Sequence, residues 1–130
     1  MGAKLKILFV EDQAADREIL RRSIGELVEL DEATTLESAL MKMAEPKYDC
    51  VLLDLSLPDS DPGKTLGRLR AAHPGALTVV ISGNEDPRVI AECVRQGAQG
   101  YLVKGRDDKT AEMVMERLNS AVLRSLVGKS

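Results

Sequence analysis

The chain has 130 residues and a formal net charge of −3, with 44% hydrophobic and 30% charged residues. This length suits one domain with a substantial core, and the acidic balance gives no electrostatic reason to expect direct binding of nucleic acid. No apolar stretch approaches the ~18 residues that a membrane-spanning helix requires. We therefore expect a single domain over residues 1–130, with a core at about 6–126, in the cytoplasm.

The first predicted elements are a strand and a helix. Lys6–Val10 is an apolar run without alternation that ends at Glu11 and Asp12. Such a run indicates a strand covered on both faces, as in the middle of a parallel sheet. From residue 15 to residue 28 the pattern becomes helical. The stripe expected to face the core consists of Leu20, Ile24, Leu27 and Val28.

The next segment predicts a second strand, a second helix and a third strand. Leu30–Thr34 is partly polar, which suits a strand near the edge of a sheet. Thr34 and Glu37 have the spacing of a capping box and predict the start of an amphipathic helix. Four apolar residues, Cys50–Leu53, then lead without alternation into a single carboxylate. We expect this third strand to be buried on both faces.

The second half of the chain continues the alternation. Turn-forming residues at 59–63 precede a short helix with Leu66 and Leu69 inward. Leu77–Ile81 is the next unbroken apolar run, and Asp86 followed by proline predicts the start of a fourth helix. The residues of that helix expected to face the core, before Gly97 ends it, are Ile90, Cys93 and Val94.

The last predicted strand is Gly100–Val103, and a final helix is expected from about Asp108 to Leu126. Five strands therefore alternate with five helices through short connections. This pattern predicts an α/β fold with a doubly wound, five-stranded parallel sheet and helices on both faces.

Polar residues follow four of the predicted strands at corresponding positions. They are Glu11 and Asp12, Asp54, Ser82 and Lys104. The carboxyl ends of parallel strands share one edge of the sheet, so these residues are expected to meet in one shallow pocket. Three neighbouring carboxylates repel one another, and a hard cation such as Mg²⁺, which prefers oxygen ligands and keeps several waters, relieves that repulsion.

The chemistry that fits this set is phosphoryl transfer to a carboxylate. Asp54 would attack in line, while Mg²⁺ and Lys104 neutralise charge on the equatorial oxygens. The Ser82 hydroxyl can donate a hydrogen bond to a further phosphoryl oxygen. Each residue alone is weak support, because an acid or a lysine at the end of a strand is usually only part of the surface. Their joint occurrence is far more specific.

The chain resembles the receiver domain of response regulators, the chemotaxis-regulator-like module that histidine kinases phosphorylate in two-component signalling. The segments that carry this resemblance cover the chain from Lys6 to about Leu126. They are Val10–Asp12, Leu53–Asp59, Val80–Gly83 and Gly97–Lys104. The resemblance implies a flavodoxin-like fold and a signalling domain rather than an enzyme, whose only chemistry is its own phosphorylation and dephosphorylation.

The resemblance also implies roles for individual residues. Asp54 is the expected phosphoacceptor, and Asp12 and Asp54 are the expected direct ligands of Mg²⁺. Glu11 would act through water, and the main-chain carbonyl of Ser56 would complete the protein's share of the coordination. Lys104 is the expected phosphate-binding lysine.

The same resemblance implies a switch and its partners. Ser82 and Tyr101 form the expected switch pair, in which the tyrosine ring turns inward when the serine moves towards the phosphoryl group. The expected donor is a histidine kinase or a histidine phosphotransfer protein. A downstream protein would bind the face formed by the fourth helix, the fifth strand and the fifth helix, and no membrane or nucleic acid is expected as a direct partner.

The sequence departs from the family pattern at two positions. Glu11 replaces the commoner aspartate of the acidic pair, and Gly105 stands where proline usually follows the lysine. A cis peptide bond costs ~2.5–4 kcal/mol before a residue other than proline. We therefore expect the Lys104–Gly105 bond to be trans.

Two alternatives remain open from the residues alone. A small Mg²⁺-dependent phosphohydrolase would also use an aspartate nucleophile, but Ser56 stands where such enzymes of the haloacid-dehalogenase type carry a second aspartate as general acid. A degenerate receiver would bind partners without phosphorylation, yet all five key positions hold competent residues.

Overall fold

Five strands alternate with five helices in the computed structural model, which describes residues 3–127. The strands are β1 (Lys6–Val10), β2 (Glu29–Ala33), β3 (Cys50–Asp54), β4 (Thr78–Ser82) and β5 (Gly100–Val103). The helices are α1 (Ala14–Ile24), α2 (Leu36–Lys42), α3 (Thr65–Ala72), α4 (Pro87–Arg95) and α5 (Ala111–Val127). The predicted single domain over residues 1–130 extends at both ends beyond the described residues.

All five strands pair in parallel, in the order β2-β1-β3-β4-β5. The partly polar β2 therefore lies at an edge, and the fully buried β3 lies in the middle, as the sequence predicts. The strand order reverses between β1 and β3, and this reversal opens a crevice beyond the carboxyl ends of the two strands. The predicted doubly wound α/β fold is confirmed.

The sheet separates two apolar cores. Side chains of successive strand residues point to opposite faces, so Leu8 and Val10 of β1 join one core while Ile7 and Phe9 join the other. Helices α2, α3 and α4 cover the first face, and α1 and α5 cover the second. Burial on both faces explains why the inner strands are continuous apolar runs rather than alternating ones.

The turn between α1 and β2 differs from the prediction. Helix α1 ends at Ile24 instead of near residue 28, and Gly25, a poor helix former, follows it as the C-cap residue. The turn lets Val28 enter the core at 3% exposure, whereas Leu27 is 50% exposed and does not belong to the buried stripe. Strand β2 accordingly begins one residue earlier than predicted.

The capping box of α2 also lies one residue later than predicted. Thr35 and Ser38 form it, because the Thr35 hydroxyl accepts a hydrogen bond from the Ser38 amide at 3.0 Å and Ser38 accepts one from the Thr35 amide. The predicted Thr34–Glu37 pair is wrong. Pairing of β2 continues to Ala33, and the Glu37 amide donates instead to the carboxylate of Asp59 at 2.9 Å.

The α4 prediction holds except at one residue. Asp86 caps the helix by accepting from the Arg88 amide, and Cys93 is buried as expected. Val94 is 56% exposed and does not face the core, because it lies one residue around the helix from Cys93.

The last helix, α5, starts at Ala111, three residues after the predicted position. Within residues 3–127, no helix has the length and apolar character needed to cross a membrane.

Gly97, which follows α4, provides a test of local backbone strain. Its φ of +104° lies in the left-handed region, and a Cβ atom there would come within 2.9 Å of the Arg70 guanidinium. Gly97→Ala should therefore lower the free energy of unfolding by ~1–2 kcal/mol, measured by urea denaturation. Gly75→Ala is the matched control, since a Cβ atom added at Gly75 would meet nothing within 4 Å, and a loss of stability beyond about 0.5 kcal/mol there would contradict the argument.

Candidate functional site

Three carboxylates meet beyond the carboxyl ends of β1 and β3. Glu11, Asp12 and Asp54 each place one oxygen within 4.8 Å of the others. The parallel register brings them together, because Val10 pairs with Leu53 and the acids follow directly. Glu11 is fully buried, and Asp54 is only 4% exposed. The acidic cluster predicted from the strand ends is therefore present.

Lys104 supplies the positive charge of this cluster. Its Nζ atom lies 2.6 Å from Glu11 Oε1, 2.8 Å from Asp54 Oδ2 and 3.1 Å from Asp16 Oδ2. Partial burial works against the ammonium, but its hydrogen bonds to Asp54 and Glu11 outweigh that cost and raise the pKa of Lys104. The lysine thus stays charged and partly neutralises the carboxylates.

Asp16 was not among the predicted site residues. It lies in the first turn of α1, four residues after Asp12. Asp12 precedes the helix, so the helical repeat does not relate the two residues, but an acid in the first turn of a helix that begins just after β1 is a signal in the sequence that could have indicated a fourth carboxylate near the strand ends.

The Glu11 carboxyl of this cluster has a raised pKa. Its burial raises the pKa of the Glu11 carboxyl to about 7, and the neighbouring Asp54 carboxylate adds to the effect. The Lys104 ammonium acts in the opposite direction without cancelling it. The protein therefore holds a buried acid whose ionisation near neutral pH would be favoured by further positive charge.

An open pocket of about 430 Å³ lies over the strand ends. We call it the strand-end pocket. Its lining includes five predicted site residues, namely Asp12, Asp54, Ser56, Ser82 and Lys104. The strand register brings these site residues together, since Asp54 pairs with Ile81 and Ser82 pairs with Val103. Glu11 lies beneath this pocket, where it contacts Lys104.

The loop after β3 is fixed at several points. The Ser56 amide donates to Asp54 Oδ1 at 2.9 Å, and the buried Thr65 hydroxyl donates to the Leu55 carbonyl at 2.8 Å. Asp59 accepts hydrogen bonds from the amides of Leu36 and Glu37, which ties the loop to the start of α2. These contacts hold the Asp54 carboxylate in a defined direction.

The predicted switch pair is connected through Asn84. The Ser82 hydroxyl accepts from the Asn84 amide at 3.1 Å, and the Tyr101 hydroxyl donates to the Asn84 carbonyl at 2.8 Å. The tyrosine is 6% exposed, so its ring already occupies the inward position. Burial raises the pKa of its hydroxyl, which remains a hydrogen-bond donor at neutral pH.

The Lys104–Gly105 bond is trans, as expected, since none of the peptide bonds among residues 3–127 is cis. Gly105 has a φ of +81°, a conformation that glycine adopts without steric cost. The chain can therefore turn sharply after Lys104 while the lysine side chain reaches the carboxylates.

The donor set of the acidic cluster fits Mg²⁺. All three potential ligands are carboxylate oxygens, without histidine or cysteine, and hard cations of this kind select oxygen donors. Cys50 and Cys93 are buried free thiols in the apolar cores and lie outside this cluster.

The family model of the response regulator receiver domain matches residues 7–115. The chain belongs to this family. The resemblance seen in the sequence is thereby confirmed, and the protein is a receiver domain of the two-component signalling type. A phosphohydrolase is not favoured.

Several curated relatives support this assignment. The receiver domain is 35% identical to the KDP operon transcriptional regulatory protein KdpE of Escherichia coli over 99 residues, which is 75% of this chain and 44% of that protein. It is 27% identical to the chemotaxis protein CheY of Listeria monocytogenes over 119 residues, which is 90% of this chain and 98% of CheY. The chain thus spans less than half of KdpE and nearly all of CheY.

Solved structures show the same fold. A CheY-like receiver domain protein from Methanospirillum hungatei superposes with a TM-score of 0.79 at 20% identity, covering 98% of this chain and 99% of that one. The CheX–CheY–BeF3–Mg²⁺ complex from Borrelia burgdorferi gives a TM-score of 0.77 at 24% identity, with coverage of 92% and 90%.

The raised pKa of Glu11 predicts an unusual pH dependence for this receiver domain. In metal-free buffer, unfolded Glu11 ionises near 4.5, whereas folded Glu11 retains its proton until about 7. The folded state then binds more protons between these values, so the free energy of unfolding should fall as the pH rises through them. The loss should be on the order of 2 kcal/mol.

Urea denaturation in EDTA between about pH 5 and about pH 8 tests this prediction. Glu11→Gln is the matched control, because its side chain cannot ionise, and its stability should vary less over the same range. Parallel pH profiles of the wild type and Glu11→Gln would contradict the assignment of a raised pKa to Glu11.

Proposed function

We propose that a histidine kinase or a histidine phosphotransfer protein phosphorylates this receiver domain on Asp54. The observation that carries the proposal is the position of Asp54, a nearly buried carboxylate at the end of the central strand. It opens onto the strand-end pocket and contacts the Lys104 ammonium. The protein is then a cytoplasmic signalling domain, and its own phosphorylation and dephosphorylation are its only chemistry.

In the proposed transfer, an Asp54 oxygen attacks the phosphorus atom of the donor. The new bond between oxygen and phosphorus forms as the bond from phosphorus to the donor nitrogen breaks, and the donor histidine keeps the electron pair. The product is an acyl phosphate. The Ser56 amide fixes one Asp54 oxygen at 2.9 Å, and this contact limits rotation of the carboxylate before attack.

Lys104 and Ser82 are proposed to bind the transferred group. Lys104 lines the strand-end pocket and is 23% exposed at its side chain, so its ammonium can move from Asp54 to a phosphoryl oxygen. Ser82 lines the same pocket, and its hydroxyl can donate to another oxygen. Charge-assisted hydrogen bonds of these kinds are stronger than neutral ones.

Asp12, Asp54 and the main-chain carbonyl of Ser56 are proposed to hold Mg²⁺ directly, and Glu11 to hold it through water. The three carboxylates converge within 4.8 Å, and Ser56 lines the same pocket. When bound, the cation supplies positive charge that offsets the charge of the phosphoryl oxygens. The burial of Glu11 is consistent with an indirect role, since the residue lies beneath the pocket rather than in its lining.

The conformational change that follows phosphorylation is proposed to pass through Ser82 and Tyr101 to the surface of α4, β5 and α5, which we call the output surface. A move of the Ser82 hydroxyl towards the phosphoryl group would break its contact with the Asn84 amide, and Asn84 also accepts from Tyr101. Phosphorylation would thus bias two arrangements of this region that already exist, with the inward tyrosine favoured in one of them.

The proposed output surface has a mixed character. Arg95, Met113 and Glu116 are exposed on these elements, whereas Arg88 and Glu92 of α4 line a groove on the side of α3. The apolar side chains of Val94 and Met113 are 56% and 39% exposed. A surface with both charge signs and scattered apolar groups suits a transient protein partner rather than DNA.

Phosphorylation by acetyl phosphate tests the acceptor. With Mg²⁺ present, the wild type should gain the mass of one phosphoryl group, whereas Asp54→Asn should gain none because an amide is not a competent nucleophile. EDTA should also abolish the gain. Asp61→Asn is the matched control in the same loop, outside the strand-end pocket, and should be labelled normally. Full labelling of Asp54→Asn would overturn the assignment.

The switch is tested by amide chemical shifts with and without beryllofluoride, a phosphoryl mimic. In the wild type, residues 87–103 should shift on binding. In Ser82→Ala these shifts should be at least halved, while amides at residues 54–58 still report a bound ligand. Equal shifts of residues 87–103 in both proteins would show that Ser82 does not connect the site to Tyr101.

A further inference from the structure

Three carboxylates share the Lys104 ammonium, and one of them belongs to a helix rather than to a strand end. Glu11 and Asp54 accept at 2.6 Å and 2.8 Å, and Asp16 in the first turn of α1 accepts at 3.1 Å. A lysine ammonium has three N–H donors. Each of these donors is therefore matched by one carboxylate in this structure.

Asp16 approaches Lys104 from the side of α1. Lys104 lines the strand-end pocket together with Asp12, Asp54 and Ser82, and Asp16 does not line that pocket. Asp16 instead lines a small cavity on the other side of Lys104, beside Ile19 and Leu20 of α1. The ammonium is consequently attracted by Asp16 on the side of α1 and by Glu11 and Asp54 on the side of the strand ends.

We propose that Asp16 is a positioning residue for Lys104, which retains the ammonium on the α1 side and competes for it with a phosphoryl group on Asp54. This inference rests on the proposed function of Asp54. A phosphoryl group adds ~1.5–2 negative charges to the site. To bind it, Lys104 has to redirect at least one of its N–H donors from a carboxylate to a phosphoryl oxygen. Asp16 opposes this by attracting the ammonium and by repelling the incoming charge.

Asp16 and a phosphoryl group on Asp54 would compete for the Lys104 ammonium, and Asp16 alone would not win that competition. Asp16 is 36% exposed and Lys104 is 23% exposed at their side chains, so water weakens their attraction. Asp54 is only 6% exposed at its side chain. The Asp16 contact should therefore moderate the binding of a phosphoryl group without preventing it, and set how firmly Lys104 engages that group.

A purely structural role for Asp16 makes a different prediction. An acid in the first turn of a helix stabilises the helix through the backbone dipole, and the N-cap residue Gln13 makes no side-chain capping bond. Loss of that role would lower the thermal midpoint. It would not alter the hydrogen bonding of Lys104 or the affinity for an anion bound to Asp54.

The experiment measures beryllofluoride affinity at saturating Mg²⁺ by calorimetry, in the wild type and in Asp16→Asn. The variant keeps the size of the side chain and removes its charge. Its affinity should rise by roughly fivefold, the order expected when one partly screened charge contact is lost. Asp16→Glu restores the charge and should move the affinity back towards that of the wild type.

Glu18→Gln is the matched control on the same helix. Glu18 pairs with Arg21 and Arg22, away from Lys104, so this variant removes one negative charge without touching the cluster. Its beryllofluoride affinity should equal that of the wild type. An equal rise in Glu18→Gln and Asp16→Asn would show that only net charge matters and would overturn the proposal.

A second measurement does not depend on phosphoryl chemistry. The ¹H–¹⁵N signal of the Lys104 ammonium, assigned by its loss in Lys104→Arg, should exchange with water severalfold faster in Asp16→Asn than in the wild type. Unchanged exchange together with unchanged affinity overturns the proposal. If the wild type binds no beryllofluoride, the proposed function fails, and the ammonium signal alone decides whether Asp16 holds Lys104.

Discussion

The Lys104 ammonium is what allows buried carboxylates to lie side by side at the end of the sheet. Glu11 and Asp54 are almost inaccessible to water. Without this countercharge the pKa of Glu11, already raised by burial, would rise further, or the strands would be forced apart. Lys104 contacts Glu11 and Asp54, which lie 93 and 50 positions earlier in the chain. The site therefore depends on β5 being docked beside β4, with all five strands in place.

The backbone around Lys104 is fixed while its side chain is free to change partners. The Lys104 amide donates to the Ser82 carbonyl, and the neighbouring amides of Val103 and Gly105 donate to Asp107 and Asp108. Because the anchoring bonds all involve the main chain, the four-carbon stem can swing without disturbing β5. A flexible point charge on a rigid base suits the proposed function, in which a phosphoryl group would add negative charge to the site.

Hydrogen bonds to the main chain also hold the other side of the pocket. Thr65 and Asp59 fix the loop after β3 to α3 and α2, and both act through hydrogen bonds to the main chain. The Asp59 carboxyl illustrates the balance of forces, since burial opposes its ionisation but the amides of Glu37 and Leu36 bring its pKa below the ordinary value. The Asp54 loop is thus tied to both α2 and α3.

The sequence by itself determined the sheet, its central strand and the residues gathered at its edge. Continuous apolar runs record burial on both faces, and parallel strands must align their carboxyl ends, so the pattern alone places Asp12, Asp54, Ser82 and Lys104 together. Tertiary structure decided where α1 stops, which threonine caps α2, and that Asp16 reaches Lys104. Those outcomes depend on the distance between packed elements and the reach of long side chains, which a one-dimensional pattern does not contain.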